Sequence, residues 1–155
     1  MTTRPEESGS VLDRLVAALG SSVRTDQEAL FEARSDRSGK TSSHSPICVV
    51  EAASTEEVAK VMRIANDSST PVVVRGGGSG LAGGAIGGAG EIVLSLIKMN
   101  KIIEISIENR WAKVQAGVIN QDLNLAAQKL GLWFAAAAAA WPAEQSAALA
   151  RLFCH

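Results

Sequence analysis

The sequence predicts an α+β fold of α/β-like character, in which an N-terminal βαβ unit is followed by a small mixed sheet and a hairpin. A strand pattern, a helix pattern and a second strand pattern follow one another within residues 46–75, which is the order of a βαβ unit. A third apolar strand pattern, at residues 91–96, resumes directly after a glycine-rich stretch. Apolar and polar residues then alternate in 103–108 and again in 111–116, which predicts a half-buried antiparallel hairpin.

Local signals predict where the first helices begin and end. Ser10 is a suitable N-cap, and Gly20 is a suitable end for the helix that follows it. Ser54 and Glu57 form a capping box, which predicts the start of a second helix. The inner stripe predicted for this second helix consists of Val58, Val61, Met62 and Ala65.

The last predicted helix follows the hairpin. Asn120 is the predicted N-cap, and Gly131 is the predicted end. We expect the inner face of this helix to consist of Leu123, Ala126, Ala127 and Leu130. In the second strand of the hairpin, one face is predicted to carry Ala112, Val114 and Ala116.

Composition limits the class of protein. The chain has 155 residues, 46% of them hydrophobic and 20% charged, which fits one globular domain. A net charge of −1 gives no electrostatic reason to expect a nucleic acid or an acidic membrane as partner. No apolar run approaches the ~20 residues of a membrane span, and the polar N-terminus lacks a signal peptide pattern. We therefore expect a cytoplasmic protein without a membrane segment.

The residues most often used in catalysis or metal binding form no pattern. Cys48 and Cys154 are far apart and fit neither a zinc site nor a redox pair, so two free thiols are expected. His44 has no acid or nucleophile patterned near it, and His155 is the terminal residue. The sequence therefore predicts no catalytic residue and no metal ligand within this chain.

The glycine-rich stretch is the most informative feature. Nine of the fourteen glycines lie between Gly76 and Gly90. A flexible linker is disfavoured because an apolar strand resumes at once. Residues 78–83 match G-x-G-x-x-G, but the glycines that follow cannot sustain the helix that a Rossmann site needs, and no Lys-Ser/Thr pair completes a P-loop. The favoured interpretation is a nest of backbone amides that binds an anion, with Ser79 as an additional donor.

Four segments together resemble a known family. Residues 71–84, Pro-Val-Val-Val-Arg-Gly-Gly-Gly-Ser-Gly-Leu-Ala-Gly-Gly, resemble the diphosphate loop of the vanillyl-alcohol-oxidase/PCMH-type FAD-binding domain. Residues 47–58, 92–105 and 114–123 resemble the strands and helix starts around that loop. The likeness covers residues 36–134 and is to the D-lactate dehydrogenase and glycolate oxidase subunit branch. One departure is Val74, where the family commonly has a second proline.

The resemblance implies FAD as cofactor and an FAD-dependent oxidoreductase that acts on small 2-hydroxy acids. The backbone amides of the loop, with Ser79, would hold the diphosphate, and Gly117 would lie where the chain passes the cofactor. By resemblance the cofactor-binding residues are Arg75, Gly76, Gly77, Gly78, Ser79, Gly80, Leu81, Gly83 and Gly117.

The resemblance also implies an incomplete domain. We expect a helix and polar lead-in at 1–35, the first part of the FAD-binding domain at 36–134, and an unrelated alanine-rich tail at 135–155 that arose by a frameshift or an early stop. Neither the family's second glycine-rich segment nor its substrate domain is recognised, so we expect weak flavin affinity. The alternative to an enzyme is a non-enzymatic fragment that needs a complementing second half or has no activity.

Overall fold

The computed structural model describes residues 10–134, 149–151 and 153–154. At its centre is a four-stranded mixed sheet of β1 (Val23–Arg24), β2 (Cys48–Glu51), β3 (Val72–Arg75) and β4 (Ile92–Ser95). The strand order is β1-β2-β4-β3, with β4 parallel to both of its neighbours and β1 antiparallel to β2. The predicted βαβ unit is present, but its two strands are separated by β4.

Helices cover both faces of this sheet. α1 (Val11–Leu19) and α3 (Thr55–Asp67) cover one face, and α2 (Gln27–Glu32) contacts the other. The larger core lies on the first face, where the apolar residues of the strands alternate inward. Its fully or almost fully buried members are Leu15, Cys48, Val50, Ala52, Val61, Ala65, Ile92 and Leu94.

The predicted N-caps Ser10 and Ser54 are confirmed with one change in detail. Ser10 caps α1 in a reciprocal capping box with Asp13, and Gly20 ends that helix at a φ of +52°. The Ser54 hydroxyl accepts from the Glu57 amide at 3.2 Å. The Glu57 carboxylate, however, accepts from the Ala53 amide at 2.9 Å, one residue before the N-cap. Within α3, the prediction that Met62 lies on the inner stripe is wrong, because its side chain is 46% exposed.

A second group of elements follows the sheet. It contains β5 (Ile102–Ser106), β6 (Trp111–Val114), α4 (Asn120–Gln128) and β7 (Leu132–Trp133). β5 and β6 form the predicted antiparallel hairpin. Its inner face and α4 share a core whose buried members are Ala112, Val114, Val118, Leu123, Ala127 and Leu132.

Three predictions for this region need correction. The register of β5 shifts between Ile102 and Glu104, so Ile102 and Ile105 pack inward while Ile103 and Ile107 are more than half exposed. A bulge adds one residue to one strand and so reverses the faces beyond it. Asn120 is not the N-cap of α4: the cap position is Ile119, and the buried Asn120 is the first residue of the helix. Leu130, expected on the inner face, is 41% exposed.

The end of the chain is described only in part. The predicted alanine run at 135–140 and His155 lie outside the described residues. β8 (Leu149–Arg151) pairs with β6, and β9 (Phe153–Cys154) pairs with β7, in both cases antiparallel. The proposed domain boundaries remain predictions. Among the residues that the structure describes, no helix is long and apolar enough to cross a membrane.

Candidate functional site

Three polar side chains form a row across the carboxyl edge of the parallel strands. The ladder places Glu51 of β2 beside Ser95 of β4, and Ser95 beside Arg75 of β3. These are the last residues of their strands. Open α/β sheets bind ligands beyond the carboxyl ends of their strands. The row therefore identifies the edge of the sheet where a site is expected, and the glycine loop begins at that edge.

The loop between β3 and β4 has the backbone geometry that only glycine adopts readily. Gly78, Gly83 and Gly90 have φ values of +68°, +82° and +75°. Such left-handed conformations are strained for residues that carry a Cβ. Gly80 has an ordinary φ, and nothing would lie within 4 Å of a Cβ placed there. Only some of these glycines are therefore required by the fold itself.

The amides of the loop are left available by the protein. In the described part of the chain, no backbone N–H of residues 76–84 donates a hydrogen bond to another protein group. Buried backbone donors in proteins are nearly always paired, and Gly78 is buried. Successive N–H groups of this kind form a concave site for an anion. The geometry thus supports the predicted nest.

The far end of the loop is fastened to the segment that follows α2. The Gly87 amide donates to the Ala33 carbonyl at 2.8 Å, and the Gly88 amide donates to the Glu91 carboxylate at 2.7 Å. A Cβ on Gly83 would be in ordinary contact with Lys40 and Ser38. The sequence indicated only that this segment is polar. In the structure, residues 33–40 contact and support the loop, and we call them the platform.

Arg75 lies beneath the loop. Its Nη1 donates to the carbonyl of Ser35 at 2.7 Å and to the carbonyl of Ala85 at 3.0 Å. Burial lowers the pKa of this guanidinium, while the carboxylates of Asp36 and Glu32 oppose that shift. Since an arginine begins with a pKa far above neutrality, the group stays charged. The loop therefore has a positive charge under it.

Asp36 accepts a local backbone hydrogen bond. Its Oδ1 accepts from the Ser38 amide at 2.9 Å. Hydrogen bonds from Ser38 lower the pKa of Asp36, with weaker contributions from the Ala85 amide and from the positive charge of Arg75. Its Oδ2 is buried and has no hydrogen-bond partner of good geometry. A charged Asp36 helps to retain the charge on Arg75.

The remaining loop residues that sequence reasoning singled out lie on the open side. Ser79 is half-buried, and Leu81 is 76% exposed. Neither side chain makes a hydrogen bond or an ion pair within the described chain. The structure therefore brings together Arg75 with the loop glycines, and it leaves Ser79 and Leu81 at the surface of the same loop.

Close packing requires glycine at position 117. A Cβ on this residue would overlap the backbone carbonyls of Leu96 and Met99. The Gly117 amide also donates to the Met99 carbonyl at 2.8 Å. This contact holds the turn after β6 against the segment that leaves β4. Gly117 thus links the hairpin and α4 to the edge of the sheet where the glycine loop lies.

An ion-pair network on the same edge was not predicted. Glu51, 18% exposed, pairs with Arg24 at 3.2 Å and with Lys98 at 2.8 Å. Lys98, and then Arg24, lower the pKa of Glu51. Glu51 and Arg24, together with the buried Ser95, border a cavity of about 200 Å³ beside Gly76 and Gly77. In the sequence, Glu51 ends the first strand of the predicted βαβ unit, and Lys98 follows the predicted strand at 91–96 by two residues.

His44 lies in an exposed loop. Its Nδ1 is 2.8 Å from the hydroxyl of its neighbour Ser43. No acid of the described chain is hydrogen-bonded to its ring, so no residue orients it as a general base. Cys48 is buried and free in β2. Neither residue contributes to the candidate site.

Comparison with known proteins gives this geometry a context. The family model of the FAD binding domain matches residues 46–144, which is more than half of the chain. The D-lactate dehydrogenase of Anaerostipes hadrus is 45% identical over 89 residues, covering 57% of this chain and 19% of that protein. The glycolate oxidase subunit GlcD of Bacillus subtilis is 37% identical over 89 residues, with the same two coverages. Thus the chain spans about a fifth of the length of these relatives.

A solved structure agrees with the sequence relatives. p-Cresol methylhydroxylase with substrate bound superposes with a TM-score of 0.66 and 27% identity, covering 77% of this chain and 24% of that chain. These likenesses confirm the predicted resemblance to the PCMH-type FAD-binding domain, the α+β fold class and FAD as the cofactor.

Proposed function

Since the chain belongs to the family of FAD binding domains, we propose that its glycine loop holds the FAD diphosphate. The backbone amides of residues 76–80 are the donors, and the Ser79 hydroxyl adds another. The observation that carries the proposal is the run of amides at 76–84 without protein acceptors, lying over the half-buried charge of Arg75. Phosphate binds to such nests because backbone N–H dipoles and a fixed cation both favour negative charge.

The residues present fit the diphosphate. Nothing lies within 4 Å of a Cβ position on Gly80, so an anion can approach the backbone there. Gly78 holds a positive φ, which turns successive amides towards one point. Leu81, exposed on the same loop, supplies an apolar surface beside the phosphates, and Gly83 lets the chain turn back. Gly117 keeps the neighbouring segment close.

The wider activity that we propose is that of an FAD-dependent oxidoreductase acting on small 2-hydroxy acids. Its support is that the relatives are named D-lactate dehydrogenase and glycolate oxidase subunit. Bound FAD supplies two-electron redox chemistry, and this chain's part is to anchor and orient the cofactor. Because the chain matches about a fifth of those relatives, substrate recognition depends on residues beyond the matched segment.

A matched pair of charge substitutions tests the loop. Both Gly80 and Gly84 have open space at the Cβ position and an ordinary φ. Gly80→Glu places a carboxylate within the proposed nest, whereas Gly84→Glu places it outside. Fluorescence titration with FAD should show that Gly80→Glu raises Kd about tenfold or more through like-charge repulsion, while Gly84→Glu changes it about twofold at most. Equal affinities for the two variants would contradict the proposal.

A further inference from the structure

We propose that Arg75 is a positioning residue that clamps the glycine loop into its anion-binding shape. The clamp is a property of the chain without ligand, and its consequence for FAD rests on the proposed function above. The inference differs from the predicted role of Arg75 as a residue that flanks the cofactor, because its guanidinium is engaged with the protein itself.

Arg75 joins two backbone carbonyls that lie far apart in the chain. One nitrogen, Nη1, donates both to Ser35, 40 residues earlier in the chain, and to Ala85, 10 residues later. Ser35 belongs to the platform that follows α2, and Ala85 belongs to the returning half of the loop. The guanidinium therefore links the returning half of the loop, at Ala85, to the platform, at Ser35.

The guanidinium of Arg75 also lies against Gly78. A Cβ built on Gly78 would overlap the Nη2 and Cζ atoms of Arg75. The guanidinium thus occupies the space that a side chain at Gly78 would need. Since Gly78 also has a φ of +68°, its backbone conformation disfavours other residues, and a Cβ there would require the Arg75 guanidinium to move. Arg75 and Gly78 define the loop's inner surface together.

A lysine at position 75 would supply the charge of Arg75 without its shape. A lysine ammonium is a compact charge on a flexible stem, whereas the guanidinium is a rigid planar fork. Lysine at position 75 could keep the charge, but it could not bridge the two carbonyls while filling the space under Gly78. Arg75→Lys therefore separates charge from shape. If charge alone mattered, this variant would behave like the wild-type chain.

Amide hydrogen exchange of the full chain without FAD is the direct test. In Arg75→Lys, the Gly87 amide, which donates to the Ala33 carbonyl, should exchange about tenfold faster, because the loop separates locally from its support. The exchange rate of this amide is the measure of loop exchange. Peptides that cover β2 and β4 should exchange as before. Arg63→Lys, on the exposed surface of α3, is the control and should leave the loop unchanged. Unchanged loop exchange in Arg75→Lys would overturn the clamp.

Two further measurements cover other outcomes. Adding guanidinium ion to Arg75→Ala should restore slow exchange in the loop and ammonium ion should not; equal effects of the two ions would count against the clamp. If the Arg75 variants fail to fold, Gly78→Ala tests the contact from the other side. It should accelerate loop exchange more than Gly83→Ala, which has a similar φ of +82° but only ordinary contacts at the Cβ position. Equal exchange in these two glycine variants would overturn the clamp.

FAD titration separates this inference from the proposed function. If wild-type chain binds FAD and Arg75→Lys binds it about fivefold or more weakly, both stand. If the wild-type chain shows no saturable binding of FAD while the exchange results hold, the proposed function fails and the clamp remains. If Arg75→Lys binds FAD normally and its loop exchanges normally, the clamp fails and the proposed function remains.

Discussion

Gly117 packs so closely against Leu96 that a Cβ at position 117 would overlap the Leu96 carbonyl. The same residue donates its amide to the Met99 carbonyl at 2.8 Å. This contact is where the hairpin region meets the carboxyl edge of the central sheet. It gives Gly117 a structural role that holds whether or not a cofactor is bound.

Gly117→Ala should therefore destabilise the fold. Backbone carbonyls cannot move aside as a flexible side chain can, so the overlap must be relieved by separating the two segments. We expect a loss of about 2–3 kcal/mol in the free energy of unfolding, in the range for overpacked sites. Urea denaturation followed by circular dichroism measures it. Gly84→Ala is the control, and a loss in Gly117→Ala no larger than in that control would contradict the contact.

Glu51 should make stability depend on pH. Its folded pKa is lowered below the ordinary value of 4.5, so its contribution is fully present above that value and is lost as pH falls through the folded pKa. Glu51→Gln should cost about 1 kcal/mol at pH 7, in the range for partly exposed ion pairs. Thermal denaturation at a series of pH values checks this. A difference between wild-type and variant that persists undiminished to acid pH would contradict the network.

Cys48 should react slowly with thiol reagents. It is fully buried, and burial raises its pKa to about 11. Since the thiolate is the reactive form, both factors protect it. In a Cys154→Ser background, alkylation at pH 8 should be at least about a hundredfold slower in the native chain than in urea. Comparable rates in the two conditions would show that β2 is not buried as the structure has it.

Ser54 should contribute to stability as the N-cap of α3. Its hydroxyl accepts from the Glu57 amide at 3.2 Å. Loss of such a cap typically costs about 1 kcal/mol, and Ser54→Ala should lower the free energy of unfolding by this amount. Ser54→Asp should retain most of the stability because aspartate also caps helices. Equal stability of Ser54→Ala and wild-type would contradict the capping role.

Local patterns predicted much of the fold because they depend on neighbours in the chain. The caps at Ser10 and Ser54 and the strand ending at Arg75 were predicted from short-range signals. β1 and α2 were not predicted, since two and six residues are too few to show a period. The insertion of β4 between β2 and β3 is a tertiary choice that no local pattern encodes.

The candidate site also combines features that the local sequence predicts with contacts that it does not predict. The amide nest was predicted from glycines that follow a strand, and it stays a prediction; the structure adds the left-handed conformations of Gly78, Gly83 and Gly90. The contact of Arg75 with Ser35 joins residues 40 positions apart, and the link of Glu51 to Arg24 and Lys98 also spans three elements. Such contacts arise only after the segments pack. Asn120 was mistaken for a cap because its type suits a cap, whereas in the structure it lies one residue inside the helix.

If the amides of residues 76–80 hold the diphosphate of FAD, their chemical shifts should respond to the cofactor. A titration of the ¹⁵N-labelled chain with FAD, monitored by the chemical shift of each backbone amide, measures this. We expect saturable shifts that are largest at these five residues, with ADP giving the same pattern because it shares the diphosphate. Saturable shifts centred elsewhere, or none at the loop amides up to millimolar FAD, would contradict it.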